Sequence, residues 1–167
     1  MSYENKFYEA NKKNVWSQNG EDGCVQAILV KLGIASGWVC EFGAWDGIHL
    51  SNTFALIEKG FKGVLIEGDK TRFQDLKKLV DRFPNIIPIC SYVDPRLDSK
   101  HTLDEILQRT DCPKDFVLLS IDIDSYDYQV WKSFMNYKPQ VVIIEITSSV
   151  EPTRMDWIHD QPRLSEV

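Results

Sequence analysis

Residues 38–53 read WVCEFGAWDGIHLSNT, and this stretch decides the fold. An apolar run from Trp38 to Phe42, broken by Glu41, meets glycine at Gly43 and again at Gly47, so a strand runs into a tight turn and then toward a helix start. Four more apolar runs follow: GVLIEGD from Gly63, IIPICSYV from Ile86, FVLLSID from Phe116 and QVVIIEI from Gln140. Short Val- and Ile-rich runs of this kind are strands covered on both faces.

The segments between the runs carry helical periodicity. From Lys70 to Phe83, Phe73, Leu76, Leu79, Val80 and Phe83 share one face, and Asp75, Lys77, Lys78, Asp81 and Arg82 are left for solvent. Leu50 to Lys59 and Asp127 to Tyr137 repeat the pattern, with Trp131, Phe134 and Met135 spaced as helix core. Thr102 to Glu105 opens another helix with a capping arrangement. Ser17 to Leu32 reads as an extra N-terminal helix whose inner face is Val25, Ile28, Leu29 and Leu32. Strand–helix alternation with right-handed crossovers gives an α/β, Rossmann-like doubly wound parallel sheet built from these five strands. The expected organisation is one domain over 1–167, with an N-terminal extension at 1–16, a core at 17–146 and a tail at 147–167.

Composition narrows the function. The chain has 167 residues, 43% hydrophobic and 26% charged, which suits a single packed core. Nineteen Lys and Arg against 25 Asp and Glu give a net charge of -6, which argues against nucleic acid as a partner, since phosphate backbones need a basic stripe. No apolar stretch approaches a membrane span and no signal-peptide core is visible, so no membrane partner and a cytoplasmic location are expected. Cys24, Cys40, Cys90 and Cys112 form no CxxC pair and read as reduced core residues.

Ligands of open parallel sheets sit beyond the carboxyl ends of the strands. There, the turn EFGAWDG spaces acid-x-Gly-x-x-x-Gly and sets Trp45 and Asp46 where a pyrophosphate would need small, uncharged backbone. Glu41 and Asp46 instead suit a nucleoside with a cationic tail, and S-adenosylmethionine carries a sulfonium and an ammonium. Gly43 allows the tight turn, and Gly47 is read as admitting a ligand to the backbone. Twenty residues beyond Gly47, Glu67 ends the second strand, where a carboxylate accepts both ribose hydroxyls.

With these residues in view the sequence resembles the class I S-adenosylmethionine-dependent methyltransferases, and within them the FkbM-like family. The likeness runs in order through SQNGED at Ser17, EFGAWDG, HLSNT at His49, VLIEGD, TLDEIL at Thr102, LLSIDIDSYDYQVW at Leu118 and VVIIEI at Val141, about three-quarters of the chain. It implies S-adenosylmethionine as methyl donor and a small-molecule or saccharide hydroxyl as acceptor. Glu41, Gly43 and Gly47 would cradle the methionine part, Glu67 the ribose, and Ser91 and Tyr92 the adenine surroundings; Ala44, Asp46, Asn52, Gly68 and Asp122 complete the expected cofactor set. The fourth-strand motif departs from the family's Ile-Asp-Val-Glu-Gly, reading Ile121-Asp122-Ile123-Asp124-Ser125.

Asp122, Asp124 and Asp127 follow the fourth strand and Glu145 ends the fifth, so carboxylates could converge there on a divalent cation such as Mg²⁺, with Asp122, Asp124 and Glu145 as ligands. Helix-start acids favoured by the helix dipole are the plainer account of Asp124 and Asp127. The candidate catalytic residues are Asp122, Asp124 and His49, each placed to accept a hydroxyl proton. Ser51, Asn52 and Thr53 either bind the cofactor carboxylate or cap a helix. Trp45 packs on the cofactor or in the core, and Gln18, Glu21 and Asp22 either contact ligand from above the sheet or simply start a helix. Two other readings stand beside this one: a metal-dependent glycosyltransferase using Asp122 and Asp124, and a non-catalytic module that keeps the cofactor fold. A class I methyltransferase sheet has seven strands, and no sixth or seventh strand pattern follows Ile146, so the resemblance implies a five-stranded parallel core ordered 3-2-1-4-5. The fifth strand is therefore expected at an edge covered by the tail, through Met155, Trp157 and Ile158, or by a second copy in a homodimer.

Overall fold

The structure, a computed structural model, describes residues 6–123 and 126–145. Five parallel strands form one sheet: β1 (Trp38–Phe42), β2 (Lys62–Glu67), β3 (Ile86–Cys90), β4 (Leu118–Ile121) and β5 (Val141–Ile144), ordered β3-β2-β1-β4-β5 as the resemblance implies. The helices are α1 (Lys6–Asn11), α2 (Glu21–Leu32), α3 (Phe54–Ile57), α4 (Arg72–Val80), α5 (Leu103–Leu107) and α6 (Asp127–Ser133).

Side chains alternate across the pleat, and each sheet face builds its own core. Val39, Leu65 and Leu118 join Val25 and Leu29 of α2, Phe54 and Ile57 of α3, and Leu76 and Leu79 of α4. Their neighbours Cys40, Ile66 and Leu119 join Leu103, Ile106 and Leu107 of α5 and Val130 of α6 on the opposite face. This two-sided burial explains why β1, β2 and β4 are mostly apolar. β3 and β5 are the edges, and all four residues of β5 are half-buried. The tail from 147, with Met155, Trp157 and Ile158, lies outside the described residues.

Several helix expectations need correction. α2 begins at Glu21, four residues after Ser17, because the Asp22 carboxylate gathers the main-chain N–H groups of Val15, Trp16 and Ser17, each at 2.8 Å, into a turn. Leu32, expected inside, is exposed. α3 is one turn long rather than ten residues, because residues 45–53 form a loop held by carboxylates, in which Leu50 has φ 56°. α6 stops at Ser133; Trp131 and Met135, expected in the core, are exposed, while Phe134 stacks on Tyr137. The turn after α6 is held by the buried carboxylate of Asp104, which accepts the N–H groups of Met135 and Asn136. Thr102 caps α5 through the Glu105 N–H, as its position predicts. All four cysteines are free, but Cys90 lies exposed at the end of β3 rather than in the core. No helix among the described residues is long and apolar enough to cross a membrane.

Candidate functional site

β1 continues to β2 on one side while β4 pairs with it on the other, so the sheet order reverses between β1 and β4. Ligand crevices form at that reversal, outside the carboxyl ends of the strands. Four of the five strands bring an acid to this rim: Glu41 inside the end of β1, Glu67 at the end of β2, and Asp122 and Glu145 just past β4 and β5. Asp46 and Asp69 lie in the two nearest loops.

Glu67 is buried, only 6% exposed, so it is no solvated strand end. Its two oxygens take different loops: Oε2 accepts the Trp45 N–H at 2.8 Å and Oε1 the Asp69 N–H at 2.6 Å. A carboxylate offers about four lone-pair sites, so each oxygen, fixed in direction by one main-chain donor, retains capacity for a ligand hydroxyl. The same bond holds Trp45 in a left-handed conformation, φ 46°, beneath the Arg72 guanidinium at 4.9 Å and beside the His49 ring at 5.0 Å. Trp45 is thus a half-exposed platform on the rim and not a core residue.

Glu41 is turned inward. Its carboxylate accepts the hydroxyls of Ser51 and Thr53, both at 2.6 Å, and the N–H of Asn52 at 3.0 Å. Burial pushes the Glu41 carboxyl up, against these hydrogen bonds that pull it down, and the negative charge of Asp122 adds to the rise. The loop after the glycine turn is therefore stapled to β1. The Ser51 and Thr53 hydroxyl hydrogens are committed to Glu41, and the Asn52 amide donates to Ser120 of β4 at 3.1 Å, so these three residues brace the cleft wall and are not arranged to bind a cofactor carboxylate.

The glycines separate by role. A Cβ on Gly43, where φ is 79°, would sit 2.1 Å from the Asp122 carbonyl oxygen, so this turn passes directly against the end of β4. Gly47 does something different from the sequence expectation: it is buried, and a Cβ would sit 2.7 Å from Leu79 and 2.9 Å from Leu76. It makes room for α4, not for a ligand. Ala44 is likewise core, its N–H extending the β1–β2 pairing to the Ile66 carbonyl. At Gly68 a Cβ would meet the Tyr92 ring at 2.4 Å, so the exposed Tyr92 lies across the backbone after β2. Ser91 donates to the Tyr92 carbonyl at 2.9 Å and pairs with Nδ1 of His101 at 3.0 Å.

Asp46 accepts the N–H groups of Ile48 and His49 on one oxygen and so shapes its own loop. His49 is exposed on the Trp45 edge. Asp122 is exposed at the crevice, next to Gly43. Asp127, expected to converge with it, is buried and accepts the Ile123 N–H at 2.9 Å, closing the turn before α6. Asp122 and Glu145 follow the paired residues Ile121 and Ile144, and Asp124 lies outside the described residues. Among the described residues no group of three or more His, Cys, Asp or Glu that could hold a metal ion forms. In the leading segment, Asp22 is a folding residue, as its three main-chain bonds require.

No protein-family model matches the chain, and no curated protein matches it in sequence. Among solved structures it is similar to a "putative O-methyltransferase from Klebsiella pneumoniae", with a TM-score of 0.50 and 12% identity over 79% of this chain and 56% of that one. It is also similar to coclaurine N-methyltransferase bound to N-methylheliamine and SAH, with a TM-score of 0.45 and 9% identity over 77% of this chain and 36% of that one. The chain thus spans little more than half of the first and about a third of the second. At 12% identity the first likeness extends to the fold alone, and the second is too loose to add to it. The fold is a Rossmann-like, five-stranded parallel sheet flanked by helices.

Proposed function

We propose that the chain is an S-adenosylmethionine-dependent methyltransferase that acts on a hydroxyl of a small molecule or saccharide. One observation carries the reading: the buried Glu67 carboxylate at the end of β2, aimed by one main-chain N–H on each oxygen. Acids at the reversal of strand order suit a ligand with a cationic tail. The FkbM-like motifs from Ser17 to Ile146 favour that family as the finer assignment.

S-adenosylmethionine, when bound, supplies a methyl group made electrophilic by its sulfonium. Glu67 would accept the two ribose hydroxyls, and Tyr92 on Gly68 would border the base. Gly43, by letting the turn pack against the end of β4, would set the rim on which the charged end of the ligand lies. Asp122, exposed at that point, would orient the acceptor hydroxyl and take its proton. Glu41 acts at one remove, holding the loop of residues 51–53 in place.

Calorimetry with S-adenosylmethionine and S-adenosylhomocysteine tests the reading. Glu67→Ala is expected to weaken binding ten- to a hundredfold, from loss of about 1.5–3 kcal/mol of charge-assisted hydrogen bonding. It also frees the Trp45 and Asp69 N–H groups, so some stability is lost with affinity. Asp122→Asn is expected to lower turnover on an acceptor by about 10² or more with cofactor affinity nearly kept. If the unmodified chain binds neither ligand, the proposal fails; wild-type turnover in Asp122→Asn removes only the proton-acceptor role.

A further inference from the structure

Among the described residues, four cations lie over aromatic rings, and one of these contacts stands at the carboxyl ends of the strands. Lys12 over Tyr8 is also paired with Glu9 at 2.9 Å, and Arg82 lies over Phe83, the next residue in the chain. Lys62 lies over Trp38, its cross-strand partner at the opposite end of β1 and β2. The fourth is Arg72, which opens α4 after β2 and lies 4.9 Å over Trp45 of the turn after β1. Both residues are tied to one carboxylate: Glu67 accepts the N–H of Trp45 on Oε2 and that of Asp69 on Oε1, and Asp69 in turn accepts the Arg72 N–H at 2.9 Å. The contact is thus set by the same bonds that shape the crevice.

What Arg72 lacks is a counter-ion. Its guanidinium makes no ion pair and donates no hydrogen bond among the described residues, although Asp46 and Asp69 lie in the same two loops. Asp69 spends Oδ1 on the N–H groups of Thr71 and Arg72, and Asp46 spends Oδ1 on those of Ile48 and His49, so each is turned to its own main chain. Those main-chain bonds are what chiefly lower the Asp69 carboxyl, and the Arg72 charge is the least of the causes. Arg96 shows the alternative, since it closes a two-pronged pair on Asp94. An indole face attracts the cation but cannot accept its fork of N–H donors, so the edge that fits a carboxylate or phosphate bidentately stays open. The ring also holds the side chain in place, which reduces the entropy lost when a ligand binds. Arg72 and Trp45 are both exposed, and the exposed His49 packs on the same indole at 5.0 Å.

We propose that Arg72, seated on Trp45, is an oxyanion-binding site, so that the small molecule taken by the crevice carries a phosphate or carboxylate group besides its hydroxyl. This rests on the methyltransferase reading only in making that molecule the acceptor. Gly43 lies against the end of β4, where Asp122 stands, and Trp45 follows two residues later, so at most about 7 Å of backbone separates the two points. A compact acceptor spans that distance, with its hydroxyl at Asp122 and its anionic group on Arg72.

The test is NMR of the full chain, read at the Arg72 Nε–H and the Trp45 indole N–H. The chain is titrated at constant ionic strength with inorganic phosphate, methyl phosphate, glucuronate and glucose. At least one anion is expected to give saturable shifts at both groups, the preferred anion telling phosphate from carboxylate, and glucose is expected to give none. Arg82 on Phe83 and the Trp38 indole beneath Lys62 are the internal comparison and are expected to stay unmoved. Arg72→Gln, read at Trp45, is expected to weaken binding about fivefold or more, and Arg72→Lys, which keeps the charge but not the fork, nearly as much. Saturating S-adenosylhomocysteine is expected to leave the anion affinity in place. Absence of saturable shifts with every anion overturns the proposal, as do equal shifts at Arg82 and Trp38, shifts matched by glucose, or unchanged affinity in Arg72→Gln. Displacement of the anion by S-adenosylhomocysteine also overturns it, because Arg72 would then serve the cofactor's own carboxylate. Anion binding by a chain that binds no S-adenosylhomocysteine removes the methyltransferase reading and leaves the oxyanion site standing.

Discussion

Glu41→Gln exchanges one carboxylate oxygen for an amide nitrogen inside a closed set of hydrogen bonds. The Ser51 hydroxyl donates to Glu41 and accepts the N–H groups of Thr53 at 3.2 Å and Phe54 at 3.0 Å, so both its lone pairs are occupied. If the glutamine nitrogen faces Ser51 and Thr53, it meets a hydroxyl that cannot turn to accept. If the amide is flipped, the nitrogen meets the Asn52 N–H instead. Either orientation buries a donor against a donor at a position only 5% exposed, a cost of about 1–3 kcal/mol. For a domain of this length the melting temperature should fall by roughly 2 to 12 °C.

The pH dependence supplies a second check. Because burial raises the folded-state pKa of Glu41, the folded chain binds that proton more tightly than the unfolded chain. Stability from this group is therefore greatest in acid and declines as pH rises from the ordinary carboxylate range through the raised value. Glutamine lacks this slope, so the advantage of the natural residue should shrink with rising pH across that window. Urea denaturation followed by circular dichroism at several pH values measures both effects. A loss within about 0.5 kcal/mol, the size of an ordinary surface substitution, would refute the staple. A difference that stays constant with pH would refute the assigned cause of the shift.

Gly43→Ala places a methyl 2.1 Å from the Asp122 carbonyl oxygen at φ 79°, and backbone cannot yield as a side-chain tip can. Roughly 3 kcal/mol or more should be lost in urea denaturation, whereas Gly60→Ala, with φ 93° and nothing within 4 Å, should lose only about 1–2 kcal/mol; equal losses would contradict the close crossing. Asp94, paired with Arg96 at 2.7 Å, has its carboxyl lowered to about 2, so its contribution is present above the ordinary carboxylate pKa and disappears as pH falls toward about 2. Asp94→Asn should flatten the acid limb of the stability curve, and an unchanged limb would show that the exposed Arg96 contributes nothing measurable.

The five strands, their parallel pairing and the acids with glycines at the first two strand ends were legible in the sequence, because two-sided burial demands mostly apolar runs and strand–helix alternation admits few topologies, while the strand order came from the likeness to a known family. Helix extents were less legible. The periodicity of residues 50–59 continues past the point where Glu41 captures Ser51, Asn52 and Thr53, and a contact ten to twelve residues distant leaves no local trace. Trp131 and Met135 have core spacing but are exposed: α6 buries Val130 instead of Trp131, and Met135 lies past the helix end in the turn held by Asp104.

At the site, position along the chain determined which residues reach the rim, and tertiary structure decided what each one does there. Glu41 and Glu67 look alike in sequence, an acid near the end of an apolar strand, yet one has three of its lone-pair sites taken by its own loop and the other keeps one open on each oxygen for a ligand. Gly43 and Gly47 look alike as turn glycines, yet one clears the backbone of β4 and the other clears Leu76 and Leu79 of α4. Sequence spacing fixes what the backbone of a strand–turn unit must do, because the steric rules for glycine and for apolar runs are local. Which lone pair remains open, and which atom stands over a glycine, depends on elements brought together only by folding.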